Sequence, residues 1–219
     1  METPQTTLPP APDEDLSIAR WELAWEKHKK SILAGVAAAA VAGIAVLAWW
    51  INSTIAAEAA QKLLAEASGI EGYRAVVDKY PRSMPAADAL MLLASAHRDA
   101  GDTAASTAAF QEFLEKFPKH ELAGGALFGV GQNQDASGDT RGAIATYQQV
   151  VTQYPDSYAA PFAAYSEAEL LLRGFQRDEA RRSFNMVTSR YPQSTAARMA
   201  ANQLSRLGAQ PQPPQQPAQ

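Results

Sequence analysis

Hydrophobic and polar positions along the 219 residues follow three different rules. Residues 1–12 and 209–219 are rich in Pro and Gln and hold almost no core-forming side chains. Burial cannot offset the entropy of ordering such segments, so both tails are expected to be disordered. Residues 31–51 form one apolar run without a charge. From residue 72 to residue 208 apolar positions instead recur at helical spacing within a longer fixed period, which predicts helices separated by short turns.

That longer period is 37 residues. Aromatic–Pro pairs stand at Tyr80-Pro81, Phe117-Pro118, Tyr154-Pro155 and Tyr191-Pro192, and another aromatic precedes each by seven: Tyr73, Phe110, Tyr147 and Phe184. Alanines follow each Pro by five and by eight, at Ala86 and Ala89, Ala123 and Ala126, Ala160 and Ala163, Ala197 and Ala200. Pro cannot continue a helix interior, so each aromatic–Pro pair is expected to end one helix. Ser83, Ser157 and Ser194 then cap the next helix, with His120 as a weaker cap in the remaining unit. The paired alanines give that helix a small face against which a neighbour packs closely. Gly101-Asp102 and Gly138-Asp139 mark the turn inside a unit, and Gly174 marks it one place earlier in the third.

The segments YRAVVDKYPRS, FQEFLEKFPKH, YQQVVTQYPDS and FNMVTSRYPQS resemble the tetratricopeptide repeat, in the longer-loop form of bacterial envelope proteins such as BamD and CpoB. The resemblance covers residues 72–208 and implies an all-α fold, a right-handed solenoid of antiparallel helix pairs. Two positions depart from the pattern. The small residue four before the second-helix aromatic is kept as Ala143 and Ala180 but is Ser106 in another unit, and His97, Gln134 and Leu171 replace the aromatic late in the first helix.

The run at 31–51 has the length a helix needs to span a bilayer's hydrocarbon core. Trp21 and Trp25 precede it and Trp49 and Trp50 end it, as indole rings do at headgroup level. Arg20, Lys27, Lys29 and Lys30 lie before the run, and Lys62 is the one basic residue in the fifteen after it, which orients the N-terminus toward the cytoplasm. A cleaved signal peptide is the alternative, but its apolar region is usually about 7–15 residues. Asp13, Glu14 and Asp15 stand where acids favour a helix N-terminus, so 13–30 is expected as a cytoplasmic juxtamembrane helix and 52–71 as a helical connector. Gly35, Ala39 and Gly43 fall four apart, a small-residue face through which two such helices would pair as a homodimer, although an Ala-rich run also produces this spacing by chance.

Charge and composition narrow the function. The net charge is -4 without a dense Lys/Arg stripe in either half, which argues against nucleic acid. Cys is absent, which removes thiolate chemistry, disulfides and lipidation at Cys. The three histidines, His28, His97 and His120, form no metal-spaced pair, and no nucleophile or phosphate-loop motif occurs, so neither an enzyme nor a cofactor is expected.

An N-terminal membrane helix followed by a repeat array looks like the YfgM-type ancillary subunits of the SecYEG translocon. That likeness implies a periplasmic scaffold or chaperone-like adaptor on the bacterial inner membrane, binding SecYEG or nascent secreted proteins. A structural subunit of outer-membrane or cell-division machinery is the other reading. In such repeats the first helices line one face. By similarity, Met91, Phe128 and Tyr165, again 37 apart, would form an apolar ridge there, joined by Phe162, Arg98, Gln132, Asp135, Glu169 and Arg173. Large side chains at helical spacing serve equally as core, which leaves two roles open for the three.

Overall fold

A computed structural model describes residues 14–209. The tail 1–12, Asp13 and the C-terminal tail beyond Ala209 lie outside the described residues. The described chain is all-helical: α1 (Glu14–Glu66), α2 (Gly69–Lys79), α3 (Met84–Asp99), α4 (Thr103–Lys116), α5 (Ala123–Ala136), α6 (Thr140–Gln153), α7 (Ala160–Arg173), α8 (Arg177–Arg190) and α9 (Thr195–Ala209). The chain divides into two compact units, residues 1–55 and 56–219.

In the first unit, His28–Ala48 is long and apolar enough to cross a membrane, and none of its described side chains is buried. Helix α1 does not break where a juxtamembrane helix or a connector was expected to begin. Residues 56–66 are mostly Ala, Leu, Glu, Gln and Lys, all strong helix formers, and they carry α1 on to Glu66. The chain turns at Ala67 and Ser68, and α2 opens on Gly69 at φ 68°.

In the second unit each helix from α2 to α9 packs on its neighbour in sequence, and α7 also touches α5 and α9. These are stacked hairpins, α3 with α4, α5 with α6, and α7 with α8. All four alanine pairs are buried, as their spacing required. Phe113, Tyr147 and Phe184 are the largest buried rings, Tyr147 against Phe128 and Phe184 against Tyr165 inside their own hairpins, each stabilising the fold by roughly 2–3 kcal/mol through removal from water. At the N-terminal edge Ala60 is buried, and Leu63 and Leu64 pack against the cluster of Val76, Leu90 and Phe113.

Local chemistry sets the helix ends. Tyr80, Phe117, Tyr154 and Tyr191 each close a helix with the same backbone geometry, φ from -126° to -133°, and donate N–H to the carbonyl four residues back. Ser83 and Ser194 accept from Ala86 N at 3.2 Å and Ala197 N at 3.0 Å, as N-caps do. Ser157 and His120 act earlier: they hold a turn, accepting from Ala159 N and Leu122 N, and α7 and α5 begin just after it. Gly101 and Gly138 take φ 79° and 85°, and Asp102 and Asp139 cap α4 and α6. In the third hairpin the turn begins at Gly174, the C-cap of α7 at φ -78°, and the left-handed residue is the next one, Phe175 at φ 60°.

One carboxylate lies in the core. Glu167 is 8% exposed, in the register that holds Leu93 and Val130 in the other repeats, and accepts from Gln148 Nε2 at 2.7 Å. Burial pushes its carboxyl above the usual carboxylate range, and the Gln148 bond offsets part of that. A raised folded-state value means the acid form is favoured on folding. The contribution to stability is therefore full below the ordinary carboxylate range and is lost as pH rises through the folded value. Glu167→Gln should raise the melting temperature at pH 7.5 by about 2–4 °C, corresponding to about 1 kcal/mol, and the gain should vanish on titration toward pH 4. A gain that grows as pH falls would contradict the sign.

Candidate functional site

The polar residues expected on the face of the first helices are fastened to one another, helix by helix. Arg98 on α3 donates from Nε to Asn133 Oδ1 at 3.0 Å, from Nη1 to Gln132 Oε1 at 3.0 Å and from Nη2 to the Gly129 carbonyl at 3.2 Å, all on α5. Its guanidinium also lies 5.4 Å from the Phe110 ring centre. Asp135 on α5 pairs with Arg173 on α7 at 2.7 Å. Glu169 on α7 accepts from the Tyr165 hydroxyl at 2.7 Å, and Gln203 on α9 reaches both groups at 3.5 Å. Three rungs thus join α3 to α5, α5 to α7 and α7 to α9. The Asp135–Arg173 rung is largely solvent-exposed, so it fixes register more than it adds stability.

The apolar residues divide. Met91, Phe128 and Phe162 are half-buried, each packed on a core cluster with part of its surface open. Phe128 meets the Tyr147 ring at 5.5 Å. Tyr165 does not continue the ridge: it is 6% exposed, its ring 5.5 Å from Phe184 and its hydroxyl occupied by Glu169. It belongs to the core because α8 and α9 both close over α7, and burial followed by the Glu169 bond holds its phenol above the ordinary value. Tyr147 is pushed up to about 12, by burial first and then by the charge of Asp135. Met199, 39% exposed and 37 residues after Phe162, extends the apolar strip onto α9.

Four further residues complete the arrangement. Asn133, 2% exposed, donates to Ser106 Oγ at 2.9 Å, Thr107 Oγ1 at 3.0 Å and the Thr103 carbonyl at 3.4 Å while accepting from Arg98. Ser106, where Ala143 and Ala180 stand in the other repeats, is therefore a buried hydroxyl with its partner supplied. The signal in the sequence is the pair of exchanges itself, polar Asn133 in the register of Ala96 and Leu170 and polar Ser106 in that of alanine. Gln203, the last rung, carried no signal, being one glutamine among many. Gly35, Ala39 and Gly43 are all exposed on α1, and a Cβ added at Gly35 or Gly43 would meet nothing within 4 Å. Among the described residues no group of three or more His, Asp or Glu side chains is placed to hold a metal ion.

This arrangement orients polar side chains along α3, α5, α7 and α9. The tetratricopeptide-repeat family model matches residues 88–120, 125–157 and 163–194, which fall on the three hairpins. A tetratricopeptide repeat protein from Parabacteroides merdae ATCC 43184 matches with a TM-score of 0.52 at 17% identity, over 71% of this chain and 60% of that chain. The crystal structure of MamA protein matches with a TM-score of 0.50 at 15% identity, over 71% of this chain and 82% of that chain. Both likenesses bear on the fold alone. No curated protein sequence matches the chain. The hairpins α3–α4, α5–α6 and α7–α8 are the segments similar to the tetratricopeptide repeat, and they stack as a tetratricopeptide-like solenoid.

Proposed function

We propose that the repeat array is a protein-binding scaffold that receives a helix or an extended segment of its partner along α3, α5, α7 and α9. The observation that carries this reading is the strip of Met91, Phe128, Phe162 and Met199, large apolar side chains left partly open on helices whose polar groups already satisfy one another. Such a strip gains from burial against an apolar partner face, while exposed Gln132 and Arg173 set its register.

In this reading His28–Ala48 is a membrane anchor in the bacterial inner membrane. The basic residues before it and their scarcity after it favour an N-terminus in the cytoplasm and an array in the periplasm. The occupants there are proteins leaving the SecYEG channel, or the channel itself. The exposed small-residue face of Gly35, Ala39 and Gly43 favours a second reading, a self-associating subunit of outer-membrane or division machinery.

A photo-crosslinking amino acid at Gln132, with one at exposed Gln149 on α6 as control, tests both in intact cells. Channel components or nascent envelope proteins crosslinked at Gln132 and not at Gln149 support the first reading, and recovery of the chain itself or of cell-wall machinery supports the second. Equal yields from both positions would end the proposal that this face is the binding surface. In the same cells, protease added to spheroplasts should cleave the array, and full protection would overturn the orientation.

A further inference from the structure

The turn between α7 and α8 differs from its two counterparts. Gly101, Gly138 and Phe175 share one register and all three adopt the left-handed conformation. Glycine does so without steric cost, whereas an L side chain is strained there. The Phe175 ring is 93% exposed and gains nothing from burial in return. A strained, exposed aromatic that the fold does not use points to a contact outside the fold.

Beside the ring a cavity of about 330 Å³ opens between the end of α7, the start of α8 and the end of α9. Leu172, Phe175 and Leu207 form its apolar wall, and Arg177, Arg206 and Gln203 its polar one. No carboxylate lines it. Arg177 and Arg181 each place Nη2 3.4 Å from the Leu207 carbonyl, which leaves most of their N–H groups unused. Arg206 has no hydrogen-bond or ion-pair partner among the described residues. Arg177 and Arg206 in the wall, with Arg181 on the same Leu207 carbonyl as Arg177, bring three guanidinium groups to this end of the array.

We infer that this end of the array is a second docking site, for an acidic peptide segment bearing one large apolar side chain. The apolar side chain enters the cavity against Phe175, Leu172 and Leu207, and carboxylates on either side pair with Arg177 and Arg206. Charge complementarity selects an acidic occupant, and the exclusive use of Arg over Lys suits the planar, two-point recognition of carboxylates. The cavity selects a peptide over a lipid surface, since a bilayer offers no side chain to fill a concave pocket walled by an amide. The site lies at the turn end of the last hairpin and shares only Gln203 with the rung between α7 and α9, a residue that neither variant below changes.

Fluorescence anisotropy on the full chain in neutral detergent micelles tests this, with a labelled peptide Glu-Asp-Glu-Phe-Asp-Glu-Asp as probe. Its Ala-for-Phe form and its Gln/Asn form are the controls. The wild-type chain should bind the probe and discriminate against both controls. Phe175→Gly restores the glycine of the sister turns, so its melting temperature should hold or rise while affinity falls at least about tenfold, the effect of losing an aromatic anchor. Arg206→Gln should weaken binding by about fivefold or more without changing stability. Probe binding that survives both substitutions, or no saturable binding by the wild type, overturns the inference. So does a Phe175-dependent association with micelles doped with phosphatidylglycerol in the absence of peptide binding, which would make the surface a lipid contact.

Discussion

Gly129→Ala should destabilise the array by about 1–3 kcal/mol, although alanine is the better helix former by about 1 kcal/mol. A Cβ built at Gly129 would stand 2.5 Å from two atoms of the Phe110 ring, well inside van der Waals contact. Phe110 is 5% exposed and cannot step aside freely, and the Arg98 guanidinium stacked against it holds the Gly129 carbonyl as well. The substitution thus forces either the second-helix aromatic of one repeat or the rung between α3 and α5 to move. Two other glycines of α5 calibrate the effect. At Gly131 an added Cβ would meet Tyr147, but Ala94 and Ala168 occupy the same register in the sister repeats, so Gly131→Ala should cost less. At Gly125 the obstacle is the Tyr158 hydroxyl, on a side chain 60% exposed and able to swing away, so Gly125→Ala should be neutral or stabilising. Melting temperatures in that rank order support a close helix approach at Gly129, and equal effects at all three positions would reduce it to helix propensity.

Particular residues show how far a linear reading reaches. The aromatic–Pro pairs and the alanine pairs were legible because their effects are local or nearest-neighbour. Pro ends a helix wherever it falls, and two alanines three apart present a small face to whichever helix comes next. Tyr165 was not legible. It has the register of Met91 and Phe128, yet α9 closes over the last hairpin and Glu169 takes its hydroxyl, and neither fact is periodic. The polar residues Arg98, Gln132, Asp135, Glu169 and Arg173 stand on α3, α5 and α7, but which groups they bond was not legible, because a side chain's partner depends on the offset between adjacent helices. The arginines after residue 172 were hidden by a mild total charge, which sums a basic end with an acidic remainder. Gly174 did mark the turn, as the C-cap of α7, but the conformation that suits glycine falls one residue later, on Phe175.

Asn133→Ala should cost about 2–3 kcal/mol, whereas Asn133→Leu combined with Ser106→Ala should recover most of that loss. Alone, the alanine removes four hydrogen bonds, opens a small cavity and strands the Ser106 hydroxyl, which has no exposure to water. The double substitution replaces both ends of the buried contact with the residues the other repeats use, Leu170 in one register and Ala143 or Ala180 in the other. Removing a buried donor and its acceptor together avoids the penalty of leaving one unsatisfied. A double-mutant cycle read by urea denaturation should therefore give a coupling above about 1 kcal/mol, and strict additivity would show that the network is not a unit. The rescue has a functional consequence. Asn133 is also the acceptor that aims Arg98 across to α5, so the double variant keeps its fold but loses the acceptor for Arg98 Nε. Its crosslinking yield at Gln132 should fall while its melting curve stays near wild type. That separation would identify the buried asparagine as the residue that aligns the proposed binding face, since a purely structural role would lose or recover both together.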